Sequence, residues 1–72
     1  MSVSYKRLWK LLIDKDMKKK DLEKVAHISN YTITKLTKGE NVNVNILARI
    51  CSALNCTMDD IIEVIPSEEE QL

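Results

Sequence analysis

A chain of 72 residues, 44% of them hydrophobic, supports one small core and leaves no material for a second domain. No apolar run approaches the ~20 residues that a membrane span requires, and the first residues lead into a charged segment rather than a secretory signal, so a cytoplasmic location is expected. The formal net charge is zero, but residues 1–38 hold ten Lys/Arg against four Asp/Glu, whereas residues 39–72 hold Arg49 against seven acids. Such asymmetry points to a polyanionic partner or to an acidic tail, with two solvated faces as the plain alternative.

The chain has one glycine and one proline, so breakers are scarce and a period near 3.6 dominates. Tyr5, Leu8, Trp9, Leu12 and Ile13 form an apolar stripe that predicts a first helix from about Ser4, its cap, to Asp14. The segment "DKDMKKK" interrupts it, with Met17 as an apolar plug. A second helix is expected from Lys19 to His27 with Leu22, Val25 and Ala26 inward, and a third from Asn30 to Lys38, capped by Ser29 and ended by Gly39. After the loop "ENVN", Asn43 caps a fourth helix that reaches Leu54, with Val44, Leu47, Ile50, Cys51 and Leu54 as its stripe. Thr57 and Asp60 have the spacing of a capping box and predict a fifth helix carrying Ile61, Ile62 and Ile65, closed by Pro66. The fold class is therefore all-α with five short helices in residues 1–66, followed by an acidic, solvated tail at 67–72.

Catalysis finds little support. His27 is the sole histidine, no glycine-rich phosphate loop is present, and no spacing pairs a nucleophile with a base. Structural zinc takes about four ligands, so Cys51 and Cys56 read as reduced thiols in or near the core. No metal and no cofactor is expected, and the chain is not expected to be an enzyme.

The third helix is anomalous. It offers the core only Ile33 and Leu36, and the rest of its surface is Asn30, Tyr31, Thr32, Thr34, Lys35 and Lys38. Amides, lysines and hydroxyls are the groups that read base edges and hold phosphates. A solvated face would look the same in an isolated helix. This helix instead follows a lysine-bearing helix after a short turn, which is the helix-turn-helix arrangement.

At these residues the chain resembles the Cro and phage-repressor (XRE) family of helix-turn-helix regulators. The matching stretch is "KKKDLEKVAHISNYTITKLTKGENVNVNILARICSALNCTMDDI". It has Leu22 in the second helix, Ile28-Ser29 before the third, Ile33-Thr34-Lys35-Leu36 within it, Gly39 after it, and then Ala53-Leu54 and Asp59-Asp60. The resemblance covers residues 5 to about 65 and is closer still to a branch of very small, single-domain members with the cysteines of "ARICSALNC". Two positions depart from the family. Glu23 stands where alanine is usual, which suggests a looser or rotated second helix. His27 stands at the turn glycine, and so is expected to have positive φ.

The resemblance implies a lambda-repressor-like domain that binds double-stranded DNA and reads the major groove with the third helix. It implies base contacts from Asn30, Tyr31, Lys35 and Thr34, and backbone contacts from Lys19, Ser29, Thr32, Lys38, Asn41 and Asn43. Repression by occluding a promoter is the expected outcome, and a homodimer is expected, with the fifth helix (Ile61, Ile62, Val64, Ile65) and Val3 or Tyr5 at its contact. An antitoxin-like or other protein–protein module of the same fold is the alternative. The tail acids Glu68, Glu69 and Glu70 are expected to oppose non-specific attraction to phosphate.

Overall fold

The computed structural model describes residues 2–66. Met1 and the segment 67–72, with its expected acidic tail, lie outside the described residues. The elements in chain order are β1 (Ser2–Ser4), α1 (Lys6–Asp14), α2 (Lys19–Ala26), α3 (Asn30–Thr37), α4 (Val44–Leu54), a single 3-10 turn at Met58–Asp60, and β2 (Glu63–Ile65). None of these helices is long and apolar enough to cross a membrane.

The helices start on side-chain or backbone caps that short polar residues supply. Ser29 Oγ accepts from the Thr32 N–H at 3.2 Å, and Asn43 Oδ1 accepts from the Ile46 N–H at 3.0 Å. At α2 the cap works in reverse: the Asp21 carboxylate accepts from the Lys18 N–H at 2.9 Å. Tyr5, not Ser4, occupies the position before α1, and Ser4 assists by accepting from the Lys6 N–H at 3.3 Å.

All four α-helices end in the same way. A residue with positive φ (Asp16, His27, Gly39 and Asn55, at 57°, 56°, 76° and 54°) turns the chain at each terminus. The next N–H then donates to a carbonyl five residues back: Met17 to Leu12 at 2.8 Å, Ile28 to Glu23 at 3.1 Å, Glu40 to Lys35 at 3.0 Å and Cys56 to Cys51 at 3.0 Å. These are Schellman closures, which satisfy helix carbonyls that would otherwise lack partners. Only one of the four uses glycine; the others use Asp, His and Asn, the residue types that tolerate this conformation best after glycine. His27 is thus where the sequence places it, while Asp16 was not singled out.

Every helix contributes to one core. Tyr5, Leu8 and Leu12 meet Leu22, Ala26 and Ile28, then Ile33 and Leu36, then Leu47, Ile50 and Leu54, with Ile61 closing the end. Among the described residues, no polar or charged residue is buried with them. Tyr5 keeps its hydroxyl at the edge, donating to the Glu40 carbonyl at 3.1 Å. Burial pushes its pKa up, which keeps it a neutral donor.

Three residues expected inside are outside: Ile13 is 75% exposed, Val25 47% and Val44 67%. Each sits at the margin of its stripe. Ile28, beyond the end of α2, takes the inward place expected of Val25, because the left-handed turn at His27 redirects the chain. Glu23 does not loosen α2. Leu22 beside it is wholly buried, and Glu23 sits half-buried at the rim facing α3.

The fifth helix is corrected. Thr57 and Asp60 do cap a turn, with the Asp60 carboxylate accepting from the Thr57 N–H at 2.9 Å and from its hydroxyl at 3.1 Å. These bonds, ahead of the Arg7 charge, hold the Asp60 carboxyl below the usual range. The turn runs only to Asp60, and the chain then extends as β2 antiparallel to β1, pairing Ser2 with Ile65, Val3 with Val64 and Ser4 with Glu63. Two effects favour strand over helix here. Glu63-Val64-Ile65 is β-branched apart from Glu63, and Pro66 disfavours helical backbone at Ile65. Arg7 braces this end, donating to the Asp59 carbonyl at 3.0 Å and pairing with Glu63 at 3.2 Å. The dimer contact expected of a fifth helix changes accordingly. Ile61 and Tyr5 are buried in the core, and exposed apolar surface remains at Val64 and Ile65.

Candidate nucleic-acid interface

The interface is built on α2, the turn His27–Ser29, and α3. Ile33 and Leu36 anchor α3 to the core, and Arg49 of α4 steadies the turn by donating to the His27 carbonyl at 3.4 Å. With this anchorage, the helical period of about 100° per residue places Asn30, Thr34, Tyr31 and Lys35 together on the outer face, within an arc of roughly 140°. Thr34 falls inside that arc. Lys38 continues the same face one turn on, at the C-cap.

Each of these side chains has a defined local partner. Asn30 Nδ2 donates to Glu23 Oε2 at 3.4 Å, which ties the first residue of α3 to α2. Tyr31 is 71% exposed, and the Lys35 ammonium lies 5.5 Å from its ring centroid. An exposed aromatic ring with a cation over its face keeps both groups extended at the surface. Thr34 donates its hydroxyl to the Asn30 carbonyl at 3.0 Å. Its oxygen can still accept a hydrogen bond.

Ser29 and Thr32 sit at the start of α3. The Ser29 hydroxyl is committed to the cap and lies 3.1 Å from the Thr32 hydroxyl. Asn41 and Asn43 lie in the loop beyond Gly39, and Asn43 uses its side-chain carbonyl as the α4 cap, leaving its amide N–H groups outward. They are therefore apart from the cluster on α3.

Lys19 has an arrangement that sequence reading missed. Its ammonium stands 4.6 Å from the centroid of the Trp9 ring and donates to Thr37 Oγ1 at 3.0 Å. Thr37 in turn donates to the Ile33 carbonyl at 2.9 Å. Three helices thus fix one cation at the N-terminus of α2, where the helix dipole also favours an anion. The sequence offers Trp9 only as a core residue and assigns Thr37 no role. The polarity of α3 one turn after Ile33 was the available signal for Thr37. Nothing in the spacing revealed Trp9.

This is a helix-turn-helix whose second helix spends its inner face on the core and leaves its outer face polar. Residues 7–67 match the sequence profile of the Cro/C1-type HTH DNA-binding domain, and the chain belongs to that family. It is also similar to a solved structure described as transcriptional regulator VanUg, form II. The two share 52% sequence identity and superpose with a TM-score of 0.87, covering 92% of this chain and 88% of that one. No curated protein matches the sequence.

Proposed function

We propose that this protein is a sequence-specific transcriptional regulator, acting as a repressor, that inserts α3 into the major groove of double-stranded DNA. The observation that carries the reading is the division of α3, with Ile33 and Leu36 inside and Asn30, Tyr31, Thr34 and Lys35 together outside. Asparagine pairs bidentately with adenine, lysine with guanine, and threonine with either. Lys19 and Lys38, with Ser29, Thr32, Asn41 and Asn43, flank that face as groups for the phosphate backbone. The family membership and the likeness to a transcriptional regulator support it. Occupancy of a promoter by this face would occlude it, and that is the repression we assign.

Selection of bound fragments from random duplex DNA tests the reading directly. A single preferred motif should emerge, and enrichment of none would refute it. On any duplex, Lys19→Ala and Lys38→Ala should each weaken binding by a similar factor and lower the slope of log affinity against log salt by roughly one unit. An unchanged slope for Lys19→Ala would remove it from the phosphate contacts.

The reading includes a twofold dimer, because one module of this size covers too few base pairs for repressor-grade specificity. Two recognition helices ~34 Å apart would then read successive turns of one groove. The apolar residues left exposed on β2, Val64 and Ile65, are the surface we assign to it. Sedimentation should show two chains per selected site; a single chain at saturation would eliminate the dimer.

A further inference from the structure

We propose that Cys51 and Cys56 are a reactive dithiol that closes reversibly to an intramolecular disulfide across the C-terminal cap of α4. The inference does not rest on the DNA-binding reading, since the pair lies at the end of α4 and not on α3.

Cap geometry carries it. Asn55, with φ 54°, turns the chain, and the Cys56 N–H donates to the Cys51 carbonyl at 3.0 Å. In a Schellman closure the two residues so linked are the pair whose side chains are commonly in contact. At α1 the corresponding pair is Leu12 and Met17, at α2 Glu23 and Ile28, and at α3 Lys35 and Glu40. Only at α4 are both members thiols. The closure is a one-turn return of the chain, of the size that a disulfide spans, with α-carbons about 4.4–6.8 Å apart.

Both cysteines are free and only half-buried, so a small oxidant can reach them. Burial first, and then the electrostatic influence of the neighbouring Cys51, push Cys56 up to about 11. At neutral pH only about one Cys56 in ten thousand is then ionised, which makes it a poor first nucleophile.

The order of steps follows, with a low-molecular-weight disulfide such as oxidised glutathione as the oxidant. The Cys51 thiolate attacks one sulfur of glutathione disulfide and expels a glutathione thiolate. Capping Cys51 removes its ionisable thiol from beside Cys56, and with it one cause of the raised pKa. Cys56 gives up its proton and attacks the Cys51 sulfur, expelling the second glutathione. Two protein thiols are oxidised, one glutathione disulfide is reduced to two thiols, and the two protons end on glutathione. The bond would covalently close the joint from which the Thr57–Asp60 turn carries Ile61 into the core.

The test incubates the full chain with oxidised glutathione, alkylates remaining thiols, and reads the intact mass. The expected product has lost two hydrogens, resists alkylation at both positions and reverts with dithiothreitol, while mixed disulfide stays below roughly a tenth of the population. Cys56→Ser should instead accumulate one glutathione on Cys51. Stable glutathione adducts on the unsubstituted chain would overturn the proposal. So would disulfide-linked dimers, or thiols that remain fully alkylatable while the urea-unfolded chain reacts.

Discussion

Leu36→Ala should remove a large share of the domain's stability and lower its melting midpoint by at least ~10 °C. Leu36 is 1% exposed and lies among the five most completely buried large side chains, with Leu8, Leu22, Ile50 and Ile61. Removing a leucine side chain from such a site costs about 2–5 kcal/mol, the upper values applying where neighbours cannot collapse into the space. A domain of this length has a total stability on the order of 4–11 kcal/mol. Ile33, at 4% exposure, is the other residue that anchors α3 to the core. Thermal unfolding followed by circular dichroism checks it. Each 1 kcal/mol moves the midpoint by about 4–8 °C in a domain this small, so the midpoint should fall by at least ~10 °C. A drop of only a few degrees would mean that α3 is not held through this residue. Ile33→Ala should behave similarly.

The second large effect is on recognition and leaves stability alone. Asn30→Ala and Tyr31→Ala should each weaken binding to the selected DNA site by about 1–3 kcal/mol, roughly 5- to 150-fold, and weaken random DNA much less. Neither side chain fills the core, so the melting midpoint should stay within the change typical of surface substitutions, about 0.5 kcal/mol. Salt dependence should also hardly change, because neither residue carries charge to displace counterions. Tyr31→Ala has a secondary consequence, since it removes the ring beneath the Lys35 ammonium. The effects of Tyr31→Ala and Lys35→Ala should therefore not add, and their double mutant should lose less than the sum. Wild-type affinity of both Asn30→Ala and Tyr31→Ala for the selected site would displace α3 from the recognition role.

How much of this was legible depends on the range of the interaction. The four α-helices and the caps Ser29 and Asn43 were readable because they are local. Ser29 and Asn43 cap residues three positions on, and the stripes that hold Leu8, Leu12, Leu22, Ile33, Leu36, Leu47, Ile50 and Leu54 repeat within one or two turns. His27 and Gly39 were legible for the same reason, as left-handed turns are made by residues whose own backbone permits them. The polar face of α3 was equally visible, since surface polarity at helical spacing needs no knowledge of neighbours.

Tertiary structure decided what lies between distant segments. Ile61, Ile62 and Ile65 fit a helical stripe; β-branching and Pro66 lean the segment toward extended backbone, and pairing with Ser2–Ser4, some sixty residues earlier, completes the strand Glu63–Ile65. Strand hydrogen bonds need a partner that periodicity cannot name, whereas a helix satisfies its own backbone. The same limit hid the seat of Lys19, whose ammonium is held by Trp9 from α1 and Thr37 from α3. It also misplaced Ile13, Val25 and Val44, which lie at stripe edges where the curvature of the neighbouring surface, not residue type, sets exposure. Sequence determined which side chains could face inward or read DNA; packing of remote segments determined which of the marginal ones do, because burial is a property of pairs of surfaces and each residue carries only its half.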